Sequence, residues 1–127
     1  MRIYITVSFG TSKEKIEELC SLVKSAGFED FCFIRDVEKY QKIFDSPEEL
    51  MQRSKEEIEK SDALLIDMTQ KPTGRALEAG IAYVLGKKII VIMKRGTKIK
   101  DTVRGIADMV IEYDELNDII AELKNKN

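Results

Sequence analysis

One carboxylate is set apart by its surroundings. Glu78 lies in Leu77-Glu-Ala-Gly-Ile-Ala82, within a stretch whose apolar residues recur at helical spacing. Leu77, Ile81, Val84 and Leu85 form the expected buried arc, and Glu78 falls at its edge beside the small residues Ala79 and Gly80. A carboxylate there is expected to be partly desolvated. Two readings stay open: a nucleophile or acid–base group at a cleft, or a helix glutamate reaching water from the rim of a packed face. The chain contains no histidine, which removes Ser-His-Asp and Cys-His mechanisms and His-rich metal sites. Chemistry must come from carboxylates, tyrosine, lysine or cysteine.

The loop Asp67-Met-Thr-Gln-Lys-Pro-Thr-Gly-Arg75 precedes that helix. Thr73 and Gly74 stand where backbone N–H groups of a helix start meet an anion, and Arg75 can pair with one. Plain capping explains Thr73 but neither Gly74 nor Arg75. Asp67 closes an apolar strand, either as a functional carboxylate or as a turn former bonding its own loop. The earlier loop Ser8-Phe-Gly-Thr-Ser-Lys13 offers hydroxyls and a glycine for a phosphate or ribose. Tyr4 lies inside the first strand, with its hydroxyl either in the core or in the cleft. Lys98, Lys100 and Arg104 form a basic cluster whose default reading is a solvated face.

These residues need a scaffold, and the pattern alternates strand and helix from end to end. Strands are expected at Arg2–Ser8, Phe31–Ile34, Asp62–Met68, Lys88–Met93 and Met109–Glu112. Helices are expected at Thr11–Ala26, with a Thr11/Glu14 capping box, and from Ser46-Pro47-Glu48-Glu49 to about Lys60. Others fall at Thr73–Leu85, stopped by Gly86, at about Thr102–Ala107, and at Glu115–Lys124. Single helices between strands imply βαβ units. The expected fold is a flavodoxin-like, doubly wound, five-stranded parallel α/β sheet of order 2-1-3-4-5 with helices on both faces. Its ligand belongs at the switch point, where the loops after strands one and three lie side by side. That names Ser8–Ser12, Asp67–Arg75 and the start of the third long helix.

A chain of 127 residues, 43% apolar and 35% charged, fits one domain over 1–127. The longest apolar run, Ile89–Met93, is too short to span a bilayer, and no secretory leader is visible at Met1–Ser8. With a net charge of −2 and the signs interspersed, no basic face for a nucleic acid polymer stands out. Cys20 and Cys32 read as buried reduced thiols, which with the missing leader points to the cytoplasm.

Asp62-Ala-Leu-Leu-Ile-Asp-Met-Thr-Gln70, then Gly74, Glu78-Ala-Gly-Ile-Ala82 and Gly86-Lys-Lys-Ile89, resembles the nucleoside 2-deoxyribosyltransferase family. The family includes 2′-deoxynucleoside 5′-monophosphate N-glycosidases. Val103-Arg-Gly-Ile-Ala-Asp108 is similar to a further family segment. The resemblance implies Glu78 as the nucleophile and Tyr4 as the active-site tyrosine. It implies that Ser8, Phe9, Gly10 and Thr11 hold the sugar or its 5′ substituent; Thr69, Thr73, Gly74 and Arg75, from the loop before the Glu78 helix, are the other substrate-binding candidates. Family members are usually homodimers or larger, so Lys98–Arg104, Lys100 in particular, is expected to serve a partner's ligand. This chain carries Ser54 near the place of a family aspartate and Pro72 near that of a phosphate-site serine.

The expected reaction is cleavage of the N-glycosidic bond of a nucleoside or its 5′-monophosphate through a glycosyl ester on Glu78. Water or a second base then resolves the ester. Asp67 is the candidate for a sugar contact or acid–base help, and no metal or cofactor is required. A phospho-receiver reading fails for want of an acidic pair after the first strand. A flavin carrier has Phe9 and Tyr83 but no tryptophan to sandwich the ring. The remaining alternative is a nucleotide-binding or sensing module of the same fold without catalysis.

Overall fold

The computed structural model describes residues 1–98 and 102–125, so Lys100 lies outside the described residues. The strands are β1 (Arg2–Thr6), β2 (Glu29–Cys32), β3 (Ala63–Asp67), β4 (Lys88–Lys94) and β5 (Met109–Tyr113). All pair in parallel, in the order β2-β1-β3-β4-β5, as the alternation of strand and helix predicts. The helices are α1 (Lys13–Ser25), the single turn α2 (Phe33–Asp36), α3 (Pro47–Glu59), α4 (Gly74–Val84) and α5 (Ile119–Asn125). None of the described helices is long and apolar enough to cross a membrane.

Strand alternation decides which side chain serves which face. Ile3, Ile5, Ala63, Leu65, Ile90 and Ile92 pack against α1 and α5, meeting Ile16, Leu19, Val23, Ile119 and Leu123. Tyr4, Leu64, Ile66, Ile89 and Val91 take the other face, with Ile58 of α3 and Ala79 and Ala82 of α4. Two cores therefore sandwich one sheet. Thr6, two residues beyond Tyr4, shares the α3/α4 side. Asp67, one residue beyond Ile66, is turned toward α1. Cys20 and Cys32 are free and buried on the α1 side.

Several local expectations are corrected. The cap of α1 is Ser12, whose hydroxyl accepts from Lys15 N at 3.2 Å, and not Thr11. Thr11 belongs to the preceding turn, its N–H donating to Ser8 O at 3.0 Å. The start of α3 is as expected, with Ser46 accepting from Glu49 N at 3.2 Å and Pro47 in the first turn. The second strand begins earlier than expected, and Phe33 and Ile34 belong to α2. The largest correction concerns α4. Leu77 and Val84 are 63% and 83% exposed, whereas Ala79 and Ala82 are fully buried. Small side chains let the helix axis approach the sheet closely, so the helix docks on its alanines and turns its larger apolar stripe outward. That rotation carries Glu78 off the rim and over the end of β1.

Candidate active site

Glu78 reaches across the carboxyl end of β1, where three hydroxyls meet it. Tyr4 Oη donates to Oε2, Thr6 Oγ1 donates to Oε1 at 3.0 Å, and Ser54 Oγ donates to Oε2 at 3.4 Å. Tyr4 Oη and Ser54 Oγ lie 3.1 Å apart, both turned to the same carboxylate oxygen. Each donor is placed by a simple rule. Tyr4 and Thr6 are alternate residues of one strand, and Ser54 is the polar member of the Leu50, Ser54, Ile58 stripe on α3. Burial raises the Glu78 carboxyl above its ordinary value, while the three hydroxyls and the charge of Arg75 pull it part of the way back. Burial, then the Glu78 charge, holds the Tyr4 phenol well above its usual value, so Tyr4 remains a donor.

Glu78 lines a cavity of about 530 Å³, within the range of roughly 300–1,000 Å³ usual for small-molecule sites. Ser8, Phe9, Thr73, Gly74 and Arg75, all named from sequence, line the same cavity. Its apolar wall comes from Phe33 and Phe44, stacked with ring centres 5.9 Å apart. At the mouth, Lys42 Nζ lies 5.4 Å from the centre of the Phe9 ring. Thr73 caps α4 in position but makes no side-chain cap bond, which leaves its hydroxyl to the cavity.

Asp67, Gly10, Thr11 and Thr69 do not join this cavity. They line a neighbouring one of about 240 Å³ on the α1 side, as the strand parity of Asp67 dictates. Asp67 accepts from Thr69 N at 2.9 Å and Tyr113 Oη at 3.1 Å, with Lys15 Nζ 4.0 Å away. The first of these is the two-residue bond of a turn-forming aspartate. Thr69 Oγ1 accepts from Lys94 N at 3.0 Å and lies 3.2 Å from Tyr113 Oη, which occupies it in joining the β3 and β5 ends. Arg75 stands between the cavities, donating to the carbonyls of Asp67 at 2.6 Å and Gln70 at 3.3 Å. It braces the loop rather than pairing with a carboxylate.

Sequence reading did not name Thr6, Ser54 as a donor, or Glu38 among the site residues. Alternation from Tyr4 is enough to find Thr6, and a serine in an apolar helix stripe is a usable signal for Ser54. Glu38 follows a helical turn that the sequence does not announce.

Fold and site together define a class: a doubly wound parallel α/β domain with a buried carboxylate under hydroxyl donors at its switch-point cavity. No protein-family profile matches the chain, and no curated protein sequence matches it. Solved structures do. The CMP N-glycosidase BcmB of Clostridium botulinum is 21% identical, with 100% of both chains covered and a TM-score of 0.73. A 2-deoxyribosyltransferase from Bacillus psychrosaccharolyticus is 21% identical over 97% of this chain and 96% of that one, with a TM-score of 0.72. A conserved protein from Enterococcus faecalis V583 is 14% identical over 99% and 98%, with a TM-score of 0.75. These likenesses establish a shared fold, and the resemblance to nucleoside 2-deoxyribosyltransferases drawn from the residues has its structural counterpart in them.

Proposed function

We propose that this chain cleaves the N-glycosidic bond of a nucleoside or nucleoside 5′-monophosphate, with Glu78 as the nucleophile. The observation that carries the reading is the Glu78 carboxylate, buried in a ligand-sized cavity and held by Tyr4, Thr6 and Ser54. A carboxylate has about four lone-pair positions. Two donors on Oε2 and one on Oε1 leave Oε1 the freer oxygen. Oε1 attacks C1′ as the C1′–N bond breaks, and the bond's electron pair leaves with the base. Water or a second base then displaces the ester, giving hydrolysis or transfer. Phe33 and Phe44 supply an apolar wall suited to a base. Ser8 and Thr73 supply hydroxyls for the sugar or its 5′ substituent.

The test is base release, followed by chromatography, from ribo- and deoxynucleosides and their 5′-monophosphates, each with and without a free acceptor base. Release supports the reading, and a new nucleoside in the acceptor lanes makes the protein a transferase. Tight binding with no release from any substrate favours the sensing module instead.

Self-association is part of the same proposal. The outward side chains of α4 and its end, Leu77, Tyr83, Val84 and Leu85, are the kind of apolar surface that monomers rarely expose. A second copy is its proposed occupant, consistent with a site completed across subunits. Val84→Glu is expected to shift the sedimentation coefficient from dimer or larger to monomer. A wild type that sediments as a monomer at micromolar concentration overturns this assignment.

A further inference from the structure

A second carboxylate faces the cavity. Glu38 is 8% exposed and lines the same space as Glu78, with Lys42, Lys71 and Arg75 as the other charged groups around it. No hydrogen bond or ion pair among the described residues engages its side chain, and its carboxylate oxygens are not among the buried unpartnered atoms, so they meet the solvent of the cavity. A carboxylate free of protein partners at the wall of a ligand-sized cavity is available to a bound molecule. Its position is held by an unusual turn: Lys39 and Tyr40, the next two residues, are both left-handed, with φ of 52° and 63°. Non-glycine residues rarely adopt this conformation, and it persists only where the surroundings hold it. Here Tyr40 N donates to Ile34 O at 2.9 Å, and the Tyr40 hydroxyl donates to Glu17 on α1. The turn therefore holds Glu38 at the wall of the cavity.

Resting on the glycosidic reading above, we propose that Glu38 is the general acid that protonates the departing base. The place near which the resembling family carries an aspartate is Ser54 here, and its hydroxyl is spent on Glu78. A carboxylate at 54 would sit against Glu78 with like charge. In this chain the second carboxyl stands instead across the cavity, on the loop after α2. As Glu78 Oε1 bonds to C1′, the electron pair of the C1′–N bond goes to the base. The Glu38 proton goes to a ring nitrogen, leaving Glu38 ionised. Water then attacks C1′, the ester oxygen returns to Glu78, and the water proton restores Glu38. Burial and the charge of Glu78 both raise the Glu38 carboxyl above its ordinary value, which favours the protonated form the acid needs.

The test compares wild type with Glu38→Gln on two substrates: the unmodified nucleotide that wild type cleaves fastest, and the same sugar phosphate carrying N7-methylguanine. The methylated base leaves as a neutral molecule without protonation. Glu38→Gln is expected to slow the first substrate about 100-fold or more. The second should change less than about threefold, and the alkaline limb of the wild-type pH–rate profile should disappear. Equal losses on both substrates, or an alkaline limb that survives in the variant, overturn the acid role while leaving Glu78-dependent cleavage intact. Absence of base release from wild type across the whole panel overturns both readings together.

Discussion

Glu78→Gln is expected to lower base release by about 10⁴-fold or more, the order seen when a covalent nucleophile is removed, while making the folded protein more stable near neutral pH. The amide keeps the shape of the carboxylate but cannot form the glycosyl ester. The stability gain follows from the raised carboxyl of the folded state. A group whose folded pKa lies above its unfolded value binds its proton more tightly when folded. Stability then falls as pH rises from the ordinary value of 4.5 through the folded value, and the cost is complete above it. A neutral side chain removes that cost. The urea midpoint of the variant should exceed that of wild type at pH 7, and the gap should close below pH 4.5. A variant that keeps a tenth of wild-type release refutes the nucleophile assignment. One that is less stable at pH 7 refutes the electrostatic account of the site.

Leu64→Ala carries the largest expected effect on folding. Leu64 is fully buried in β3, in register with Tyr4 of β1 and Ile89 of β4, and packs in the cluster that contains Ile58 and Ile66. Truncation removes its buried surface and leaves a void that two flanking strands cannot close. The loss is expected to be about 2–5 kcal/mol, a large share of the roughly 5–15 kcal/mol usual for a domain. It should appear as a lower urea midpoint at unchanged m value. A loss below about 1 kcal/mol would mean that the layer under Tyr4 is loosely packed.

How far the sequence reveals this molecule depends on the range of the forces involved. The β3 and β4 runs are apolar on both faces, and a single helix follows β1 and β3, so sheet order could be read residue by residue. Ser46-Pro47 marks a helix start because capping is local chemistry. The rotation of α4 was not legible. An apolar wheel assigns Leu77 and Val84 to the core, whereas close approach through Ala79 and Ala82 sets the packing, and that is a tertiary effect. Thr11 lost the cap to Ser12 for a related reason, since the turn closed by Ser8 O claims it first. In the site, Tyr4 and Glu78 were named from sequence and do meet. Asp67 was placed with them because it ends the right strand, but strand parity sends its side chain to the opposite face. Glu38 left no trace in periodicity, because two left-handed residues position it and not a repeating element.

The alternation of β1 has an evolutionary consequence. Tyr4 and Thr6 reach Glu78 while Ile3 and Ile5 fill the opposite core, so one short strand writes two messages in interleaved letters. A deletion or insertion of one residue there would exchange the sets, burying hydroxyls among aliphatic side chains and offering isoleucines to the carboxylate. Point substitutions can tune either message alone, but a change of length corrupts both together. Descendants of this chain are thus free to vary its loops, while the frame of β1 is inherited whole or lost with the fold.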